Sequence, residues 1–99
     1  MTKSEMAAAL NAKSAWLPGK RVKLDYGAEG VVLLDGVENR VTEEDGAADT
    51  TIKVSWEDWQ AMSDGKLDGM TAFMQGKLKV EGDMANAMQL QGVLAKLRG

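Results

Sequence analysis

The spacing of hydrophobic positions changes several times along the chain, and each change marks an element. Residues 3–15 place Met6, Ala9 and Leu10 at helical spacing, with Ser4 the expected N-cap and alanines supporting propensity. Pro18 must lie beyond that helix, because the residue before a proline disfavours the α region, and Pro18-Gly19 reads as a turn. From Lys20 the period becomes two. Val22, Leu24 and Tyr26 share one face, with Arg21, Lys23 and Asp25 on the other. Val31 to Leu34 is apolar on both sides, so this second strand is expected to be central or covered on its second face. Asp35-Gly36 is a hairpin turn signal and residues 39–42 form a weak third strand. The three runs read as an antiparallel meander. An acidic loop, residues 43–49, leads to a fourth strand over 51–55 with Ile52 and Val54 inward.

The last third alternates helices and one strand. Ser55 is the expected cap of a helix from Trp56 to about Met62, with Asp58 completing a near capping box. A second short helix over 69–75 puts Met70, Phe73 and Met74 on one face. Residues 77–81 are the clearest half-buried strand. Asp83 then caps what reads as one long final helix, whose apolar stripe is Met84, Ala87, Met88, Leu90, Leu94 and Leu97. The strands 21–26, 51–55 and 77–81 alternate cleanly, each with Lys or Arg outward. A sheet with one solvated face needs its helices on the other, so the pattern predicts a two-layer α+β sandwich. Any cavity belongs between those layers.

Composition narrows the chemistry. Ninety-nine residues, 44% hydrophobic and 27% charged, make one ordinary globular domain. A net charge of −3 argues against nucleic-acid binding and against docking to anionic lipid by charge. The absence of cysteine excludes disulfides and thiolate chemistry, and leaves the redox compartment open. The absence of histidine removes the usual general base and the commonest transition-metal ligand. The opening segment is interrupted by Lys3, Glu5, Asn11 and Lys13, so it does not read as a signal peptide. No run reaches transmembrane length, and Leu97-Arg98-Gly99 is not a peroxisomal address. The expectation is a cytoplasmic chain without stable membrane insertion.

Neither a metal nor a cofactor is expected. The pairs Asp45/Asp49 and Asp64/Asp68 lack the order of a calcium loop and read as solvated acidic turns. Gly65-Lys66 and Gly76-Lys77 lack the flanking residues of a phosphate loop, and Gly27 to Gly30 is a turn. A lysine acting as base is disfavoured, since nearly every lysine falls on a solvent face. Trp56 and Trp59 read as core residues on an amphipathic helix. The methionines at 62, 70, 74, 84 and 88 carry two readings, a soft filling for a small core or the wall of a deformable apolar pocket.

One family pattern runs through these elements. The stretch Asp49 to Trp59 (DTTIKVSWEDW), the turn Met62 to Asp68 (MSDGKLD) and the stretch Ala72 to Met84 (AFMQGKLKVEGDM) resemble the SCP2 sterol-transfer family, the sterol carrier protein 2 domain. Ala87, Met88, Leu90 and Leu94 fit the spacing of its last helix, and Lys20–Tyr26, Gly30–Leu34 and Gly36 fit its meander. The resemblance covers residues 20–97 of a single domain spanning 1–99, most specifically in the Gly-Lys-Leu-Lys-Val-x-Gly-Asp-Met run, and looks like a stand-alone prokaryotic member. It implies a five-stranded, mostly antiparallel sheet covered on one face by helices, with a hydrophobic cavity between the layers. It further implies non-enzymatic binding and transfer of a fatty acid, acyl-CoA or phospholipid, with sterol a poorer candidate. Carried over position by position, the lipid-facing residues are Trp59, Met62, Phe73, Met74, Met84 and Met88.

The N-terminus departs from the family, with one short helix inside residues 1–17 where many members have a longer helix and loop. That leaves a smaller tunnel, a more open one, or one sealed by a second subunit in a homodimer. Two alternatives stand beside the lipid carrier. One is an interaction module with a filled core that dimerises or docks to a partner. The other, weaker for want of His and Cys, is an enzyme acting on a lipid.

Overall fold

Alternation along β1 (Arg21–Asp25) sets the register of the whole sheet in the computed structural model, which describes residues 2–98, the side chains of Leu90 and Arg98 excepted. The other strands are β2 (Val31–Asp35), β3 (Arg40–Thr42), β4 (Thr50–Val54) and β5 (Leu78–Gly82), in the spatial order β3-β2-β1-β4-β5. All neighbours are antiparallel except β1 and β4, which run parallel. On the inner face Val22 stands between Leu34 and Thr50, and Leu24 between Val32 and Ile52. Ile52 then faces Val80, and Val54 faces Leu78. This continuous apolar ladder is the floor of the core.

The outer face is not uniformly open. Leu33 is buried there because the loop over residues 43–49 crosses it; a Cβ on Gly46 would lie 3.5 Å from the Leu33 Cδ2. The loop is anchored at both ends. Lys23 pairs with Asp45 at 2.6 Å, and Asp49 Oδ2 accepts from the Arg21 N–H at 2.8 Å. The two-sided apolarity of β2 thus has a physical partner in an otherwise polar loop.

Helices α1 (Lys3–Ala12), α2 (Trp56–Ser63), α3 (Gly69–Met74), α4 (Met84–Met88) and α5 (Leu90–Arg98) lie over the inner face. The cap of α1 is Thr2 and not Ser4. Thr2 Oγ1 accepts from the Glu5 N–H at 3.1 Å while Glu5 Oε1 accepts from the Thr2 N–H at 2.8 Å, a reciprocal capping box. Ser4 donates instead to Glu43 across the α1–β3 contact. The same helix stops at Ala12, short of residue 15. The Ala15 N–H reaches the Leu10 carbonyl at 2.9 Å and the Ser14 N–H reaches Asn11 at 3.1 Å, a Schellman closure with Ser14 left-handed at φ 52°. Helices α2 and α3 end in the same closure, with Gly65 and Gly76 at the left-handed position.

The expected long final helix is two helices. The Asn86 side chain is buried and donates to Thr50 Oγ1 at 3.1 Å, which ties α4 to β4. The chain then tightens at Gln89, whose N–H reaches the Asn86 carbonyl at 3.2 Å, and restarts as α5. The break separates two apolar faces. Val93 and Leu94 are buried as α5 packs on α1 and α2, while Met84 and Met88 on α4 stay exposed. The Leu90 side chain, part of the expected stripe, lies outside the described residues, as does Gly99 of the terminal tripeptide.

Two local constraints generate predictions. Gly36 donates to the Lys20 carbonyl at 2.7 Å and accepts from the Gly19 N–H at 3.0 Å, strapping the β2–β3 hairpin to the Pro18-Gly19 turn. A Cβ at position 36 would collide with the Leu17 carbonyl oxygen. Gly36→Ala should therefore lower stability by at least about 2 kcal/mol in urea unfolding; a midpoint equal to wild type would contradict this packing.

Asp35 is buried at the same hairpin. The Glu38 N–H holds its carboxyl below the usual carboxylate range, aided by the Val37 N–H and the Arg21 guanidinium at 3.1 Å. Its folded-state pKa is lowered, so its stabilisation is complete above the unfolded value and is lost as pH falls through the folded one. Thermal midpoints followed from about pH 5 down to about pH 2 should fall more steeply for wild type than for Asp35→Asn. Parallel curves would remove Asp35 from the acid response.

Candidate functional site

Edge strand β5 turns Leu78, which is buried, and Val80, which is half-buried, toward the helical layer. The space left beneath β5 is a pocket of about 310 Å³. Helix α3 contributes Gly69, Met70 and Phe73 to it, positioned by the Asp68 cap whose Oδ2 accepts from the Thr71 N–H at 3.2 Å. Opposite, α4 supplies Met84, Ala87 and Met88, and the start of α5 adds Gln91 and Leu94. Gln91 is the one polar side chain in this lining among the described residues. Met70, Phe73, Met84 and Met88 are large and exposed, which marks the mouth as lying between α3 and α4. Among the described residues the wall carries no titratable group, and what it offers is apolar contact.

The six expected lipid-facing positions are divided by this geometry. Phe73, Met84 and Met88 come together around the pocket. Trp59 and Met62 do not reach it, since both are 0% exposed in the core between α2 and the sheet. Met62 lies just behind the wall, its Cε 3.5 Å from where a Gly69 Cβ would stand. Met74 is 79% exposed and outside the lining, one residue past Phe73 and so about 100° further round α3. Leu78, Val80 and Leu94 were missed as wall residues. The alternation of β5 carried the signal for the first two, because it turns both toward the helical layer.

The aromatic cluster behind the site is structural. Tyr26 meets Trp56 edge-on at 5.1 Å and Trp59 at 6.1 Å. Among the described residues, Tyr26 Oη and Trp59 Nε1 are buried without a hydrogen-bond partner. Burial pushes the Tyr26 phenol well above its ordinary value, so it stays neutral and is no candidate base. Among the described residues no helix is long and apolar enough to cross a membrane.

A five-stranded sheet covered by helices agrees with the comparisons to known proteins. The profile of the SCP-2 sterol transfer family matches residues 5–95. The chain belongs to the SCP-2 sterol transfer family. Sterol carrier protein 2 of Bos taurus is 47% identical over 49 residues, which is 50% of this chain and 9% of that protein. Stomatin-like protein 1 of Mus musculus is 36% identical over 81 residues, covering 78% of this chain and 20% of that protein. The chain thus spans only a small part of the curated relatives it matches.

Among solved structures, Aedes aegypti sterol carrier protein 2 in complex with palmitate superposes with a TM-score of 0.76 at 20% identity, covering 93% of each chain. Palmitated SCP2L2 from Aedes aegypti gives 0.71 at 24% identity over 95% of each. At these identities the likeness is one of fold. This SCP-2 domain shares the five-stranded sheet under a helical layer with both.

The division between core and wall is measurable. Met62→Ala should cost about 2–5 kcal/mol in chemical unfolding, because it empties a buried position. Met74→Gln, Met84→Gln and Met88→Gln should each change stability by less than about 1 kcal/mol, as exposed positions do. A large loss at Met84 or Met88 would make them core residues and close the pocket.

Proposed function

We propose that this SCP-2 domain binds one acyl chain of an amphipathic lipid, most directly a fatty acid, in the pocket under β5 and carries it without chemistry. The observation that carries this reading is the pocket wall, in which a single amide side chain interrupts an apolar surface built by α3, β5, α4 and α5. At about 310 Å³ the pocket sits at the lower end of the roughly 300–1,000 Å³ usual for small-molecule sites. Methionine at three wall positions lets it widen, because an unbranched thioether changes rotamer at little cost. Membership of a lipid-transfer family and palmitate in two relatives of the same fold support an acyl ligand.

Energetics agree with a reversible carrier. A 16-carbon chain removed from water supplies about 13 kcal/mol gross at about 0.8 kcal/mol per CH₂. Association and ordering offset about half of it, which leaves micromolar affinity. Membership of a lipid-transfer family supports carriage without chemistry.

One observation favours a second reading. Met70, Phe73, Met74, Met84 and Met88 are all exposed on α3 and α4, a patch that a second copy or another partner would cover in an interaction module.

Native mass spectrometry and titration with a fluorescent fatty acid decide between the two. The expected result is one lipid per chain, with Met84→Gln and Met88→Gln each weakening uptake by about fivefold. Met74→Gln should leave uptake unchanged. An apo mass that refuses added fatty acid, with a dimer in sedimentation, would replace the carrier by the interaction module.

A further inference from the structure

The outer face of β5 carries charge for which the fold has no use. In the β4–β5 ladder Lys53 and Lys79 stand directly opposite each other, an arrangement in which like charges repel across a Cβ separation of about 5 Å. Lys77, which follows the α3 closure, joins them along a groove of about 500 Å³. The ends of β1 and β4 form its other walls, Asp25 to Gly27 and Val54-Ser55. Three ammonium groups and one carboxylate line this groove, in a chain whose net charge is −3.

The counter-charges nearby do not cancel them. Lys53 has an exposed partner in Glu81 at 3.4 Å. The Asp25 Oδ1 is engaged by the Gly27 N–H at 2.9 Å. The Lys77 and Lys79 ammonium groups make no ion pair or side-chain hydrogen bond among the described residues. At Ser55 the first turn of α2 adds its positive end, offset by Glu57 and Asp58 within that turn. Lysines on an edge strand do discourage edge-to-edge aggregation. Protection alone would be served as well by Glu at position 79, opposite Lys53, without repulsion.

We propose that this groove takes an anionic phosphate group, held by Lys77 and Lys79 with Lys53 behind them. In the form that ties it to the pocket, and so rests on the acyl-binding reading, the phosphate is the head of an amphiphile whose tail lies under β5. The strand makes this economical. Leu78 and Val80 face the pocket, Lys77 and Lys79 the groove, and β5 has no neighbour beyond it. A head leaving the pocket over this edge has a single strand, β5, to pass before meeting the lysines. Lysine binds phosphate as a compact point charge, and repulsion within the pair Lys53–Lys79 is relieved when an anion sits between them.

The test compares 1-palmitoylglycerol 3-phosphate with 1-palmitoylglycerol on the full chain by calorimetry at low salt, below their micelle concentrations. The phosphate lipid should bind about tenfold more tightly, and Lys77→Gln/Lys79→Gln should close that gap without changing affinity for the neutral lipid. Glu81→Gln, which releases Lys53, should widen it. Equal affinities, or a gap that survives in the lysine variant, overturns the proposal while leaving the acyl pocket standing. If neither lipid binds, the acyl reading fails and glycerol 3-phosphate decides the groove. Lysine-dependent amide shifts at residues 76–79 would retain it as a site for a free phosphate anion, and their absence would overturn it.

Discussion

The Thr50 hydroxyl is the interaction on which the pocket depends. It is buried at the start of β4, donates to the Asp83 carbonyl at 2.8 Å and accepts from the Asn86 side chain at 3.1 Å. Helix α4 has only five residues and leaves its methionines outside the core, so neither its length nor its burial would hold it in place. Two hydrogen bonds to one hydroxyl do that work, each worth about 1 kcal/mol net and more if its loss leaves a buried group unpaired. The opposite wall of the pocket is set by where α4 sits. The polar node at Thr50 therefore decides the shape of an apolar site.

The molecule separates what folds it from what faces the pocket. Leu10, Trp59 and Leu94 bring α1, α2 and α5 onto the inner ladder of the sheet, and all three are buried. Helices α3 and α4 stand at the edge, over a strand with a neighbour on one side only. Apolar surface that could not be covered there remains exposed at Met70, Phe73, Met84 and Met88. In a protein of this size such a patch is a site in waiting.

Most of the sheet was readable before the structure because a period of two leaves little freedom. Val22, Leu24, Ile52, Val54 and Leu78 had to share a face, and a one-residue slip would have exposed all of them. The parallel pairing of β1 with β4 was not readable from residues, since nothing local records which strand lies beside which. Helix ends failed where the closing residue was atypical. Ser14 occupies a left-handed position where glycine is the usual marker, and Thr2 captured the cap ahead of Ser4. The break at Gln89 has no local signal at all, because its cause is a side chain reaching from Asn86 to a strand 36 residues away. In the site, Trp59 with Met62 and Met70 with Phe73 have the same spacing on consecutive helices. One pair meets the sheet and the other the pocket, a difference only tertiary packing creates.

A wall of exposed methionine and phenylalanine also changes where binding energy comes from. Met88 is 69% exposed, so an acyl chain bound as proposed would remove apolar surface of the protein as well as its own from water. Met62 and the buried ladder provide a floor that need not move, the Met62 Cε lying 3.5 Å from where a Gly69 Cβ would stand. The rim supplies the adaptability. Rearranging it would break little core packing, because Met70, Phe73, Met84 and Met88 are exposed. On the acyl-binding proposal, stability and ligand uptake thus draw on different residues of one small domain.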